Sequence, residues 1–520
     1  MQNLAFLLLG LSYLNPNSFL PWPNFFQDAF SILGLLIFTI YIFRKNKLLK
    51  IHKKLIYIYA CVLSFLGFQF YCGLYFFYQD LYIFFIYFSL FFLSFILGLN
   101  IKEEVYKLMY FFLVIGVISV FIQILQWLDF KSIFIRDLVG FRPYANIGQP
   151  NQLATLLFFS LFSGLYLFLD GRLKMGIYWV VSIFLTFGIA LTFSRTSWLV
   201  FFIIFIISII RFRLRLYKII IPISFIYVFQ IFLLKYINIF LDINLNSLSE
   251  YREGTDPIRL KIWFQLIEVI KESPWIGYGV NQTSIAQTKL SSTYPVAIWV
   301  EYAHNIVIDI IIWFGIPFGV LILYFLTKLF LIALLKISSD KVYCIFFILN
   351  SFAVHSLLEY PFAYAYFIIP FGLFMGYIFN FFSQNFYTVK SNIILYFSFI
   401  LYLILFLLAL DYFKYKKFSN YYDYNYLFNK KYVIASDSYY IIDVLYYNKL
   451  NQFSDRCYLL KNYNLKYFEY VYYRFPTNFN YSLYLSKSIM ENDFDGLLDK
   501  GLDEKIIFIK NKEINDCRLE

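Results

Sequence analysis

Residues Trp299–Gly319 read WVEYAHNIVIDIIIWFGIPFG, and the rest of the chain is organised around them. A polar start ends in His304 and Asn305, and a long apolar run, read as a membrane helix, follows at once. His304 is one of 3 histidines in the chain and stands where a polar connection of about seventy residues gives way to a hydrophobic span. An ionisable side chain at such a boundary is costly to keep without a partner or a task. Capping of a membrane helix is the plain structural alternative, and the surrounding sequence has to decide between the two.

Of the 520 residues, 61% are hydrophobic and 24% aromatic, and the mean hydropathy of +0.66 lies far above that of a soluble globular chain. Apolar runs of bilayer length recur along it, which predicts an all-α polytopic membrane protein of about thirteen transmembrane helices. Spans are expected near 2–14, 25–43, 55–71, 81–99, 108–127, 151–169, 175–193, 197–210, 218–234, 304–327, 342–358, 362–382 and 393–410. The start, MQNLAFLLLGLSYLNP, has no basic n-region and no small-residue cleavage site, so it reads as a retained first helix.

The net charge of +12 is a topology signal. Arg44, Lys45, Lys47, Lys50, Lys53 and Lys54 form one basic cluster, and Arg211, Arg213, Arg215 and Lys218 another. Arg172 with Lys174, and Lys336 with Lys341, mark two further turns. All fall in alternate loops, which puts those loops and the N-terminus in the cytoplasm. A nucleic-acid site would need stacking aromatics on a soluble face, and none is evident.

Four regions follow: N-terminal membrane helices over 1–234, an external loop over 235–303, C-terminal membrane helices over 304–410, and a small external helical domain over 411–520. In the loop, DPIRLKIWFQLIEVIKESP predicts an amphipathic helix with Asp256 as cap, Pro257 in the first turn and Pro274 at the end. Ile258, Ile262, Leu266 and Ile270 give it one apolar face. The 5 cysteines show no metal-ligand spacing, and Cys457 with Cys517 could form a disulfide in an oxidising compartment.

Chemistry is expected where ionisable groups meet the outer membrane face. Arg195, in LTFSRTSWLV, sits in a very short turn between two apolar spans and could snorkel to headgroups or bind an anionic ligand through its planar fork. Arg259, one turn into the loop helix, could reach the same place, and Arg142 beside Pro143 is a third cation. His304 suits a general base, because imidazole titrates near neutral pH. His355, Glu359 and Tyr360 mark another external boundary, and His355 and Glu359, four apart, are expected on one helical face. No HExxH pattern or other metal-ligand set is present, and the first external loop carries no acidic pair. Cations, a histidine and amides on one face suit transfer from a lipid diphosphate donor to a hydroxyl.

At this point the motifs resemble a known family. NIGQPNQLATLLF, TFSRTSWL, RLKIWFQLIEVIKESPWIGYG, EYAHNIVIDIIIWFGIPFG and HSLLEYPFAYAYFIIPFGLFMG follow the order of the O-antigen ligase/polymerase superfamily. The QPN-LA and HSLLEYP-YAYF-PFG elements, with LNPNSFLPWPNFF near the start, look like PglL-type O-oligosaccharyltransferases. The resemblance implies a metal-independent, cofactor-free enzyme of a Gram-negative inner membrane with its site in the periplasm. Such enzymes move an oligosaccharide from undecaprenyl diphosphate to Ser or Thr of a periplasmic protein, often a pilin. By position, His304 matches the essential histidine, and Arg195 and Arg259 match arginines assigned to the donor diphosphate. Gln149, Asn151 and Tyr360 match signature positions, and Asn305, His355 and Glu359 lie within the same motifs. Rival readings are an O-antigen ligase acting on lipid A–core, then a polymerase of the repeat unit and, from another class, a transporter or flippase for lipid-linked glycans. A flippase would not need His304 and should show internally repeated halves, which the sequence lacks.

Overall fold

The computed structural model describes residues 1–18, 22–101, 104–210, 216–241, 246–291, 293, 298–382, 385–427 and 456–491, the side chains of 246–257, 418–427 and 458 excepted. In a bilayer only helices and closed barrels satisfy every backbone polar group, and this chain uses helices. They are α1 (Gln2–Leu14), α2 (Phe25–Lys45), α3 (Lys53–Tyr71), α4 (Tyr78–Asn100), α5 (Val105–Trp127), α6 (Pro150–Leu169), α7 (Met175–Leu191), α8 (Arg195–Ile210) and α9 (Tyr217–Phe240). After them come α10 (Asn246–Glu272), α11 (Thr283–Lys289), α12 (Ile306–Lys336), α13 (Asp340–Ser356), α14 (Ala365–Phe379), α15 (Ser391–Leu427), α16 (Arg456–Asn462), α17 (Leu465–Arg474) and α18 (Asn478–Met490). Helices α1 to α9 and α12 to α15 each fall on an expected span. Among the described residues 8 are long and apolar enough to cross a membrane by length and composition. The protein is an all-α polytopic membrane protein.

Two short strands were not expected. β1 (Leu48–His52) and β2 (Phe386–Lys390) pair antiparallel, with Leu48 opposite Lys390 and His52 opposite Phe386. The lysines of the 47–54 turn mask an alternation in which Leu49 and Ile51 are buried while Leu48 and Lys50 are exposed. Asn100, at the end of α4, clamps the strand by exchanging hydrogen bonds with the Lys50 backbone at 3.0 Å each way.

Helix α6 is almost wholly buried, packed by α5, α7 and α13. Helices α4 and α14 approach closely, because a Cβ on Gly376 would stand 2.0 Å from the Phe95 carbonyl oxygen. The basic turns gather carboxylates at one end of the bundle. Lys45 and Lys107 reach Glu104, and Arg172 and Lys341 reach Asp170. Arg211, Arg213 and Arg215 lie outside the described residues. The N-terminus of α6 and the C-terminus of α13 are therefore at the opposite end.

Helix α12 corrects the expected unbroken span over 304–327. Gly315 has φ +74°, ψ 170°, and Pro317 follows, so the helix breaks between Phe314 and Ile316. The loop SPWIGYG satisfies the exposed backbone groups. Tyr278 N donates to Ile312 O at 2.8 Å, Gly279 N to Trp313 O at 3.2 Å, and Ile316 N to Pro274 O at 2.7 Å. Gln69 of α3 donates to both Ile276 O and Trp313 O at 2.7 Å. A side chain does not fit there: a Cβ on Gly315 would lie 2.5 Å from Trp275 O, and one on Gly277 2.5 Å from Ile312 O. Irregular backbone is thus kept inside the membrane protein by being buried in protein.

The loop helix α10 begins at Asn246, so Asp256 and Pro257 lie within it and do not start it. Its apolar face is as expected: Ile262 and Leu266 are buried, with Ile258 and Ile270 packed beside them. Helices α16 to α18 share a small core of Leu459, Leu460, Phe468, Leu483 and Tyr484 that also meets Tyr415 of α15. Cys457 is disulfide-bonded, Cys61, Cys72 and Cys344 are free thiols, and Cys517 lies outside the described residues.

Gly315→Ala is expected to destabilise the protein by about 1–3 kcal/mol, the scale of a residue forced into a sparsely allowed conformation. Gly176→Ala, in α7 with nothing within 4 Å of the added Cβ, should be neutral or slightly stabilising. Thermal unfolding in detergent reads both, and equal melting temperatures for the two variants would refute the strained break.

Candidate active site

The loop before α6 is shaped by two glutamines at the end of α5. Gln126 accepts from the backbone of Tyr144 (2.7 Å) and Ala145 (2.9 Å) and donates to Arg136 O (2.7 Å). Gln123 donates to Pro143 O at 3.2 Å. The FRPYAN segment is thereby pinned over the bundle and leads into QPN. Gln149 caps α6, accepting from Gln152 N at 2.7 Å, and Pro150 takes the first-turn position where no donor is needed.

Asn151, presented by that cap, joins three elements. Its Oδ1 accepts from Ser194 Oγ (2.7 Å) and Arg142 Nη2 (3.0 Å). Its Nδ2 donates to Glu359 Oε1 at 3.1 Å. Arg142 Nε also donates to Thr192 O at 2.9 Å, which ties the loop to the turn between α7 and α8. Arg195 opens α8 immediately after Ser194 and is exposed.

Glu359 is the point where these elements meet. Its Oε1 also accepts from Arg259 Nη2 of α10 at 2.5 Å, and its Oε2 pairs with His304 Nδ1 at 2.8 Å. Burial alone would push this carboxyl up. The His304 hydrogen bond and the charges of His304, Arg259 and His355 outweigh it and bring the pKa down to about 2. The side chain is therefore a carboxylate, which can only accept, so His304 Nδ1 carries a proton, and in the neutral ring Nε2 is then the nitrogen free to take one. At 25% side-chain exposure the imidazole remains reachable.

His304 itself is held in an unusual backbone conformation, φ +53°, rare for a residue with a side chain. Asn305 follows as the cap of α12, accepting from Val307 N at 3.0 Å. Ala303 N donates to Asp309 Oδ1 (3.0 Å), and Trp263 Nε1 of α10 donates to Ala303 O (2.8 Å). The Tyr360 ring stands edge-on to the imidazole, centroids 4.9 Å apart, and stacks on Tyr302 at 5.1 Å. Burial and the neighbouring Glu359 charge push the Tyr360 phenol up, so it stays a neutral donor.

Helix α13 ends at Ser356 and Glu359 lies on the turn beyond it, where its N–H donates to His355 O at 2.8 Å, so the four-residue spacing keeps the two side chains on one side of the chain. His355 turns Nδ1 to Thr155 Oγ1 of α6 at 2.7 Å. Both residues, with Gln149, Gln152 and Tyr360, line a cavity of about 20 Å³, close to the room one water needs. His304, Arg259, Arg142, Asn151 and Glu359 thus come together directly, while Gln149, Asn305, Tyr360 and His355 shape their surroundings. Glu359 has a larger part than sequence reading gave it, and Thr155 and Ser194 were missed. The available signal for Glu359 was charge balance: a carboxylate at the same boundary as His304 and several cations needs them as partners. Among the described residues no group of His, Cys, Asp and Glu could hold a metal ion.

Comparison with known proteins places the chain in a family. Residues 180–324 match the family model described as O-Antigen ligase, and residues 143–168 match one described as Protein glycosylation ligase. The chain is 30% identical over 385 residues to a ComP-specific O-oligosaccharyltransferase of Acinetobacter baylyi, covering 71% of this chain and 69% of that protein. It is also 30% identical over 403 residues to a General O-oligosaccharyltransferase of the same organism, covering 72% of this chain and 69% of the relative. The two matched ranges take in Asn151, Arg195, Arg259 and His304, while Arg142 and Glu359 lie outside them. The chain belongs to the PglL-type O-oligosaccharyltransferases, membrane enzymes that ligate a lipid-linked oligosaccharide to protein.

Proposed function

We propose that this enzyme moves its oligosaccharide en bloc from undecaprenyl diphosphate to a Ser or Thr hydroxyl of a periplasmic protein such as a pilin, without a metal. The observation that carries this reading is the Glu359 carboxylate, which holds His304 in one tautomer while pairing with Arg259 and Asn151. His304 Nε2 takes the hydroxyl proton as the oxygen attacks the anomeric carbon. The bond from that carbon to the diphosphate oxygen breaks, and the lipid diphosphate leaves with its electron pair. Arg195, Arg259 and Arg142 hold the charge that grows on the leaving group. A single base and direct displacement invert the anomeric centre, with no covalent glycosyl-enzyme. Tyr360, Asn305, Gln149 and His355 keep the base and the first loop in place.

The site lies at the end of the bundle opposite the basic turns, which supports a Gram-negative inner-membrane topology with the N-terminus cytoplasmic and the site and tail periplasmic. The division into membrane helices 1–234, loop 235–303, membrane helices 304–410 and a C-terminal domain 411–520 belongs to the same reading. Reporter fusions truncated after Asn281 and after Asn480 should both behave as periplasmic, and cytoplasmic activity at either would reverse the topology.

His304→Ala should reduce protein glycosylation by about 10²–10⁴-fold, the usual loss on removing a general base, with donor binding retained. Intact mass of the pilin and other periplasmic glycoproteins checks this, and lipopolysaccharide should be unchanged. Loss of O-antigen with a glycosylated pilin would instead establish an O-antigen ligase, and full transport activity of a His304→Ala protein would establish a flippase.

Arg259→Ala should weaken donor use by about 1.5–3 kcal/mol, the contribution of one charge-assisted contact. Lysine should rescue it only in part, because it lacks the planar fork. Wild-type transfer by both Arg195→Ala and Arg259→Ala would remove the diphosphate role.

A further inference from the structure

The C-terminal helices enter the membrane bundle through one side chain. Arg474, the last residue of α17, is 5% exposed, and a buried arginine needs partners. Nη1 donates to Ser284 Oγ of α11 at 2.5 Å. Nη2 lies 3.3 Å from Asp80 Oδ1, in the first turn of α4, and 3.0 Å from Glu301 Oε1. Burial would drive the guanidinium toward neutrality, but Asp80 and Glu301 together hold its proton more firmly than usual.

Glu301 is the telling partner, because it precedes His304 by three residues on a segment without regular structure. That segment is bound on its other sides by neutral groups and two buried acids, Asp309 on the Ala303 backbone and Glu359 on the His304 ring. Val300 N donates to Gln287 Oε1 at 2.9 Å, and the Ala303 backbone is held by Asp309 and Trp263. The contact with Arg474 adds a charge pair from outside the membrane helices. Trp299, on the same segment, lies against Phe475, centroids 6.2 Å apart, so two neighbouring residues of the C-terminal unit grip the segment at two points. A positive φ at a histidine persists only where its surroundings over-determine it.

We propose that Arg474 is a positioning residue for the transfer reaction: by holding Glu301 it fixes the segment that presents His304, which makes the C-terminal helices part of the catalytic unit. This rests on the reading of His304 as the base. A tail that served acceptor recognition alone would act on acceptor binding, whereas a clamp on the base acts on turnover.

The test uses full-length enzyme in nanodiscs, undecaprenyl-diphosphate-linked oligosaccharide as donor and a serine-bearing pilin peptide as acceptor. Glu301→Gln is the primary variant, because its side chain is 53% exposed and the buried Arg474–Asp80 pair stays intact. Arg474→Lys is the second, since it keeps a charge for Asp80 but cannot also span Ser284 and Glu301. Each should lower kcat by about 10- to 100-fold, as small misplacements of a reacting group do, with both KM values and the melting temperature little changed. The double variant should be no worse than the weaker single one, because both remove the same contact. Wild-type kcat in Glu301→Gln, or a loss confined to acceptor KM, would overturn the clamp. If His304→Ala is inactive in that same assay the base reading survives, whereas an active His304→Ala would sink both.

Discussion

The Glu359 carboxylate is the interaction on which the rest of the site depends. It is buried, and a buried carboxylate is tolerated only when its charge is met. Here it is met from three directions at once: Arg259 from the loop helix, His304 from the start of α12, and Asn151 from the cap of α6. Those three elements are distant in sequence, and α10 also reaches the His304 segment through Trp263 Nε1, which donates to Ala303 O at 2.8 Å. One anion therefore assembles the site, sets the histidine tautomer and neutralises part of the local positive charge. A cluster of arginines without it would be held apart by repulsion.

The second constraint is the break in α12. A continuous helix from Ile306 onward would leave nothing for the SPWIGYG loop to bond. The break exposes the carbonyls of Ile312 and Trp313, and the loop donates to them. That stitching ties the end of α10 to α12, and α10 carries Arg259 while α12 is preceded by His304. The separation of base and cation is thus set by backbone hydrogen bonds remote in sequence from both side chains, and such distances matter for rate.

Much of this architecture was legible in the sequence, for physical reasons that differ by element. Hydrophobic runs bounded by turns placed the membrane helices, because a bilayer forces internally satisfied backbone. Boundary histidine and arginines marked the site, because unpaired charge at that depth is costly. The break at Gly315 was hidden, since glycine and proline are tolerated within membrane helices and WFGIPFG is apolar throughout. The start of α10 was misplaced because Asp256 and Pro257 imitate a helix start. The four-residue spacing of His355 and Glu359 was legible, since the turn past Ser356 keeps the Glu359 N–H on His355 O at 2.8 Å and both side chains line one cavity. Glu359 as the common partner depends on contacts across 100 and 208 residues of chain, which no local pattern encodes.

The same chemistry could be arranged around a histidine in either tautomer, and only one of them makes Nε2 the base. Nitrogen-15 spectra of histidine-labelled enzyme, with His304 assigned by comparison with His304→Ala, measure this directly. The account predicts a protonated Nδ1 and an unprotonated Nε2 at His304 in the neutral ring, with that preference weakened in Glu359→Gln. A protonated Nε2 in the wild-type enzyme, or spectra indifferent to Glu359→Gln, would contradict it.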